Sequence, residues 1–230
     1  MLIEGFPAQI AGTNCFVLAP GPGEQCVIID PGYGVGGQLD EIIADNRLHP
    51  VAVLLTHGHL DHTFSVLPVC QARDVPAYIH ATDRSALADP WTGLGLPVGA
   101  PLFGVQNLTF AEPDDVRPLE DYGSLQIAGL SLNIRHAPGH TGGSVVLTLH
   151  SDSNADPASN SADVLFAGDV LFAGSIGRTD LPGGSMAAMN ESLRTVILPM
   201  SDEVIVCPGH GPSTTIGRER ATNPFLRELM

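Results

Sequence analysis

The segment Thr56-His57-Gly58-His59-Leu60-Asp61-His62 follows directly on the apolar run of residues 51–55. It places three imidazoles and one carboxylate within six residues. Without a cation, such a cluster at the end of a buried strand would carry a large desolvation cost, because its polar groups would lose contact with water. Imidazole nitrogens and carboxylate oxygens are ligands of zinc and related cations. The segment therefore predicts a metal site at a strand end.

The spacing within this segment divides its ligands between two ions. If the strand continued through the H-x-H pair, His57 and His59 would point to the same side and could hold one ion. Asp61 and His62 come where the strand gives way to a turn and a helix, so they can face a neighbouring ion. The alternative is a polar turn whose histidines are satisfied by hydrogen bonds, but four clustered ligands favour metal.

Three later residues complete a ligand set: His140, Asp169 and His210. Each follows a predicted strand and has a glycine directly before it. Glycine allows close approach of the backbone, and loops on one rim of a scaffold can converge on an ion. Taken singly these residues are ordinary turn residues, but together with residues 57–62 they indicate one composite site.

Short apolar runs closed by turn residues alternate with a few helical stretches, a pattern typical of strand-rich α/β or α+β chains. Strands are predicted at residues 15–19, 26–30, 51–56, 77–80, 124–127, 130–136, 144–149, 163–167 and 203–206. Helices are predicted at residues 37–46, 63–73, 82–88, 186–198 behind a Ser185 cap, and 217–220. The simplest domain organisation is one domain over residues 1–230.

The charge balance argues against nucleic acid as a partner. The chain has 230 residues with 10 Lys+Arg and 25 Asp+Glu, a net charge of −15, and all its cations are arginines. These arginines are scattered along the sequence rather than clustered, so nucleic acid is not an expected partner. No apolar run reaches the roughly 18 residues that span a bilayer, so no membrane association is expected and a cytoplasmic location is predicted.

The cysteines Cys15, Cys26, Cys70 and Cys207 are widely spaced and form no C-x-x-C pair. A chain of this length needs no disulfides to hold its core together. We therefore expect four free, buried thiols.

The ligand motifs together resemble the metallo-β-lactamase superfamily. They are H-x-H-x-D-H at residues 57–62, P-G-H-T-x-G-S at 138–144, G-D at 168–169, P-G-H-G at 208–211, and Asp30 in V-I-I-D-P-G. Within that superfamily, residues 171–184 and the terminal Asn223-Pro224-Phe225-Leu226 are similar to glyoxalase II-like bacterial hydrolases.

This resemblance implies an α+β fold, a four-layer αββα sandwich with the metal site on one rim. It implies that His57, His59 and His140 hold a first metal ion, that Asp61, His62 and His210 hold a second, and that Asp169 bridges the two. Asp30 would orient a ligand imidazole. The nitrogen and oxygen ligands favour two zinc ions, with iron or manganese as alternatives.

The implied activity is hydrolysis of a small acyl thioester, S-lactoylglutathione or an analogous hydroxyacyl-thiol. A metal-bound hydroxide would attack the carbonyl carbon, with Asp61 and Asp169 as the catalytic carboxylates. Arg178 matches a basic substrate-binding position of glyoxalase II, although an ion pair with Asp180 is equally expected. Only twenty residues follow His210, so no separate C-terminal helical domain is predicted.

Two other activities occur on the implied fold. A persulfide dioxygenase would use a single iron held by His57, His140 and Asp169, and a lactonase or β-lactamase would hydrolyse a cyclic ester or amide. The presence of Asp61, His62 and His210 favours two metals over one. Metal stoichiometry and substrate profiling distinguish the three activities.

Overall fold

A computed structural model of the chain describes residues 1–102, 108–119, 122–150 and 162–230. Its strands form two six-stranded sheets. The first contains, in spatial order, β1 (Leu2–Pro7), β2 (Asn14–Ala19), β3 (Gln25–Ile29), β4 (His49–Leu54), β5 (Ala77–Ile79) and β6 (Val116–Pro118). The second contains β7 (Tyr122–Ile127), β8 (Leu130–His136), β9 (Val145–Leu149), β10 (Val164–Gly168), β11 (Ile205–Pro208) and β12 (Thr214–Thr215), also in order.

Helices cover the outer face of each sheet. They are α1 (Gly36–Asn46), α2 (Leu60–Thr63), α3 (Val66–Arg73), α4 (Pro90–Gly93), α5 (Met186–Ser192), α6 (Ile216–Thr222) and α7 (Pro224–Arg227). A 3₁₀-helical segment spans Ala81–Leu87, and a π-helical segment, Leu193–Ile197, continues α5. Among the residues that the structure describes, no helix is long and apolar enough to cross a bilayer.

Alternate side chains of the central strands face different core layers. In β3, Ile29 faces the space between the sheets, whereas Ile28 packs towards α1 and α3. In β10, Phe166 lies between the sheets and Leu165 packs against α5 and the C-terminal helices. Strands buried on both faces require continuous apolar runs, which is how they appear in the sequence. The αββα sandwich that the resemblance implies is therefore confirmed.

Three strands were not predicted from the sequence. Strand β1 has mostly exposed or half-buried side chains, β6 is three residues long and ends in proline, and β12 is only two residues long. None of them has the apolar run that signals a buried strand. Strand β11 begins two residues later than the predicted 203–206, because Val204 closes a turn by donating its N–H to the Ser201 carbonyl.

The single helix predicted at residues 63–73 is wrong. The chain forms α2 and α3 instead, separated by Phe64 and Ser65. Ser65 donates its N–H to the Pro31 carbonyl and its hydroxyl to the Gly32 carbonyl at 2.6 Å, which redirects the chain between the two helices. The predicted cap at Ser185 is confirmed, since its hydroxyl accepts the Ala188 N–H.

All four cysteines are free and buried, as predicted. Burial raises the pKa of Cys26 and of Cys70 to about 12, and also raises the pKa of Cys15 and Cys207. The thiolate is the reactive form of cysteine, so these thiols are chemically silent in the folded protein.

We expect the native protein to resist alkylation by iodoacetamide at pH 8 and the urea-unfolded protein to take up four labels. Intact-mass spectrometry after a timed exposure measures both numbers. The unfolded sample serves as the control for reagent quality. Labelling of the native protein at the rate of the unfolded chain would contradict the buried placement.

Candidate metal centre

The predicted ligands lie at one edge of the sandwich. Residues 56–62 follow β4, which runs parallel to β3, and Asp30 follows β3. In the second sheet, β8, β10 and β11 run in the same direction, and His140, Asp169 and His210 follow their ends. The carboxyl ends of strands that share a direction meet at the same edge, so strand order alone brings distant residues together.

The structure gathers the ligands into two sets. The first set is His57, His59 and His140, and the second set is Asp61, His62 and His210; in each, one potential ligand atom per residue lies within 4.8 Å of the others. In the first set His59 Nδ1 is 2.7 Å from His140 Nε2. In the second set Asp61 Oδ2 is 3.1 Å from His210 Nε2.

Asp169 lies between the two sets. Its Oδ2 is 3.4 Å from His140 Nε2, in the first set, and 3.5 Å from His210 Nε2, in the second. Its Oδ1 is 3.3 Å from His62 Nε2. A carboxylate in this position can give one oxygen to each of two ions.

The H-x-H pair is not held on a strand, contrary to the geometry expected from its spacing. Strand β4 ends at Leu54, and the backbone of Thr56 turns to Asp30 instead of continuing the sheet. Thr56 donates its N–H to Asp30 Oδ1 at 2.8 Å and its hydroxyl to Asp30 Oδ2 at 2.6 Å. Asp30 Oδ2 also lies 2.9 Å from His62 Nδ1. The loop geometry set by Asp30 therefore replaces the strand in presenting His57 and His59.

The donors fit a bound cation. His57 Nε2 and Asp169 Oδ1 are buried and have no hydrogen-bond partner. A buried polar atom left unsatisfied costs about 1–3 kcal/mol, so such atoms are rare unless something binds them. Nitrogen and oxygen donors without a thiolate match zinc, iron or manganese.

The two sets differ in charge. Burial, together with the neighbouring histidines, lowers the pKa of His57 well below its ordinary value and that of His59 to about 4, so both rings are neutral at pH 7. Although burial opposes its charged form, the surrounding carboxylates raise the pKa of His62 well above its ordinary value. Opposite charges meet in the second set, where a cation would replace a proton.

The loop after Asp169 fixes one ligand through its backbone. His140 Nδ1 lies 2.7 Å from the Arg178 carbonyl oxygen, an acceptor, so Nδ1 carries the proton and the lone pair of Nε2 faces the first set. The Arg178 side chain is 60% exposed and forms a two-pronged ion pair with Asp180, at 2.8 and 2.7 Å. The ion-pair alternative for Arg178 is thus present, and substrate binding by this side chain stays a prediction.

Thr13 is a buried residue of the site that the sequence did not reveal. Its hydroxyl donates to Asp61 Oδ2 at 2.8 Å. It lies in the turn between β1 and β2, where Ala11 adopts a φ of 62° and offers its carbonyl to His210 Nδ1 at 3.2 Å. Since β1 was not predicted, only the Gly12 turn signal marked this segment, and nothing connected it with Asp61.

Asp83 is a second unpredicted residue. Its carboxylate is buried and accepts three hydrogen bonds, from the Gly58 N–H (2.8 Å), the Thr141 hydroxyl (2.6 Å) and the Gly143 N–H (2.8 Å). Gly58 separates His57 from His59, and Thr141 follows His140. One carboxylate thus joins the two loops that carry the first set.

Glycine is required on both sides of this contact. A Cβ at Gly143 would lie 2.6 Å from Asp83 Oδ1, and one at Gly58 would lie 3.0 Å from the Asp83 carbonyl oxygen and 2.9 Å from Ala86 Cβ. Asp83 lies inside the predicted helix 82–88, where an acidic residue carries no signal of such a role.

Comparison with known proteins finds a matching family and several similar chains. A family model described as the metallo-beta-lactamase superfamily matches residues 10–210. The chain is similar to the hydroxyacylglutathione hydrolase GloC of Haemophilus influenzae, with 36% identity over 227 residues and 98% of each chain covered.

Two solved structures are also similar to this one. The crystal structure of the BLEG-1 B3 metallo-beta-lactamase has a TM-score of 0.79 and 36% identity, and covers 98% of this chain and 99% of its own. The crystal structure of TTHA1623 in a di-iron-bound form has a TM-score of 0.74 and 33% identity, with 97% and 100% covered.

We expect Asp83→Asn to weaken binding of one of two cations by roughly tenfold, because the amide loses the charge and turns a donor towards backbone N–H groups. Asp30→Asn should weaken the other cation, through His62. Competition titration of Zn²⁺ against a chromophoric chelator measures both affinities.

Asp45→Asn is the matched control, since Asp45 is exposed on α1. Its neighbour Asn46 bonds Gly23, before the start of β3, at the opposite end of the sheet from the site. Circular dichroism checks that each variant is folded. Unchanged affinity for both cations in folded Asp83→Asn would contradict the role assigned to this carboxylate.

Proposed function

Because the chain belongs to the metallo-β-lactamase superfamily, we propose that it is a metal-dependent hydrolase that cleaves a small acyl thioester, S-lactoylglutathione or an analogous hydroxyacyl-thiol. The observation that carries this proposal is the position of Asp169, whose carboxylate lies between two converging ligand sets. The similarity to GloC supports the thioester as the bond that is cleaved.

The first and second sets would each hold one divalent cation, and Asp169 would contact both. When bound, such cations lower the pKa of a shared water towards neutrality and polarise a carbonyl oxygen. The neutral rings of His57 and His59 offer lone pairs without first losing a proton. Zinc fits these donors, and the di-iron form of TTHA1623 supports iron as the alternative.

Asp61 and Asp169 are the proposed catalytic carboxylates. Thr13 donates to Asp61 Oδ2, which fixes the carboxylate plane and leaves Oδ1 to accept a hydrogen bond from the attacking water. His62 and His210 lower the pKa of Asp61 in spite of its burial, so it is ionised and an acceptor throughout the working range.

A thioester suits a site of this kind. A thiol has a pKa of roughly 8.5, so the thiolate leaves readily without a proton from an acid. An alkoxide or an amine is a poorer leaving group. Hydrolysis of a thioester therefore needs no acidic residue to protonate the leaving sulfur.

β-Lactam hydrolysis is the second candidate, and the similarity to BLEG-1 favours it. The two activities share the attack on a carbonyl carbon and differ in the leaving atom. A persulfide dioxygenase with one iron would leave Asp61, His62 and His210 without a metal ion to bind. These three residues nevertheless converge as the first set does.

We expect the metal-loaded protein to hydrolyse S-lactoylglutathione and Asp169→Ala to lower kcat/KM by at least about a hundredfold, because Asp169 contacts both sets. Loss of thioester absorbance measures the rate, and elemental analysis should find about two metals per chain. Asp45→Ala, an exposed carboxylate far from the site, is the control.

Other results would point elsewhere. Turnover of a chromogenic β-lactam without turnover of any thioester would replace the first candidate by the second. A single iron per chain and no hydrolysis of either substrate would contradict both.

A further inference from the structure

A cleft of about 240 Å³ opens beside the first set. His59, Thr141 and Gly142 form its inner wall, so a group bound there would lie next to the proposed reacting centre. The 3₁₀-helical segment Ala81–Leu87 and α4 form its outer wall. The cleft is therefore the space available for the part of the substrate beyond the scissile bond.

The charged groups that line this cleft are acidic. Asp83 and Asp89 contribute carboxylates, and no Lys or Arg is among the lining residues. Thr92 donates its hydroxyl and its N–H to Asp89, and these hydrogen bonds hold the pKa of Asp89 below its ordinary value. With its pKa lowered, the Asp89 carboxyl is ionised at pH 7, so it gives the cleft a negative charge.

The two arginines nearest the cleft in the sequence, Arg84 and Arg178, do not neutralise its negative charge. All ten basic residues are arginines, and every one lies in the part of the chain that the structure describes. Arg84, next to the cleft wall, forms an ion pair with Glu112, with 2.7 Å between Arg84 Nη2 and Glu112 Oε2. Arg178, in the loop after Asp169, is held by Asp180. The cations proposed for the two sets would lie at the inner wall, next to the scissile bond. A carboxylate at the far end of a carrier would instead meet Asp89, in a chain whose own net charge is −15.

The remaining polar groups of the cleft are neutral. Thr82, Ser85 and Thr92 are exposed and place hydroxyl groups along the outer wall. Hydroxyls donate to and accept from hydroxyl and amide groups equally well. The cleft thus offers hydrogen bonds to an uncharged polar ligand and repulsion to a carboxylate.

We propose that this cleft binds the thiol carrier of the substrate and that the carrier is a hydroxyl- or amide-bearing thiol without carboxylate groups. This inference rests on the thioester hydrolase proposed above and narrows its substrate class. Glutathione has two carboxylates and one ammonium group, so its thioester is turned over but is not the preferred substrate.

The test compares S-lactoylglutathione with its dimethyl ester. The two share the scissile bond and the peptide skeleton, but the ester has no carboxylate. Two unit charges about 10 Å apart at an effective dielectric constant of about 20 interact strongly enough to change binding by roughly tenfold. We therefore expect kcat/KM to be roughly tenfold higher for the dimethyl ester, with thioester loss as the readout.

Ionic strength gives a second, independent readout. Salt screens repulsion, so the KM for S-lactoylglutathione should fall as salt rises from about 0.01 to 0.15 M. The KM for the cationic dimethyl ester should rise over the same range, because salt weakens its attraction to the cleft. Opposite salt dependences of the two KM values would show that the charge of the substrate, and not its size, causes the preference for the dimethyl ester.

Two variants locate the effect in the cleft. Asp89→Asn keeps a side chain that can cap α4 but removes a charge, so the ratio of kcat/KM for the dimethyl ester to kcat/KM for S-lactoylglutathione should fall about threefold. Asp45→Asn removes the same charge far from the cleft and should leave this ratio unchanged. Ser85→Arg adds a cation to the outer wall and should raise kcat/KM for S-lactoylglutathione, whereas Ala44→Arg on α1 should not.

The outcomes separate this inference from the proposed function. A preference for S-lactoylglutathione, or equal turnover of both compounds with no effect of salt, would overturn the carrier assignment and leave the thioester hydrolase standing. Failure to hydrolyse either compound would overturn both.

Discussion

The carboxylate of Asp30 is the contact on which the site depends. It ends β4 by drawing the N–H and hydroxyl of Thr56 away from the sheet, and it meets His62 at the same time. A buried polar group without partners is costly, and three polar contacts satisfy this side chain. Asp30 thus anchors both ends of the segment that carries four of the seven predicted ligands, while Asp83 holds Gly58 and Thr13 holds Asp61 between those ends.

The second sheet supplies the other three ligands, and sterics decide how close they come. Gly209 precedes His210, and a Cβ there would lie 2.2 Å from Asp169 Oδ1 and 2.7 Å from His62 Cε1. Gly168 has a φ of 47° and abuts Thr56. Side chains at these two positions would push the sheets apart at the rim, so glycine is what allows the predicted ligands of both sheets to converge.

Sequence reasoning predicted the fold, which is confirmed, and the seven residues that the structure brings together at one rim, because each of them belongs to a local pattern at the end of an apolar run. It did not identify Asp83 or Thr13, since their partners lie 25 to 60 residues away along the chain and no local pattern marks them. It misplaced the H-x-H pair for the same reason. The spacing indicates which side chains act together, but the bond from Asp30 to Thr56 that bends the backbone is a tertiary contact.

The C-terminal residues hold the loop after Asp169 in place. Glu219 is fully buried and accepts from the Gly174 N–H at 2.7 Å, while Asn223 donates to the Ser175 carbonyl at 3.0 Å. The ring of Phe172, in the same loop, lies 5.9 Å from His210. The short C-terminal segment thus braces the rim of the site from outside.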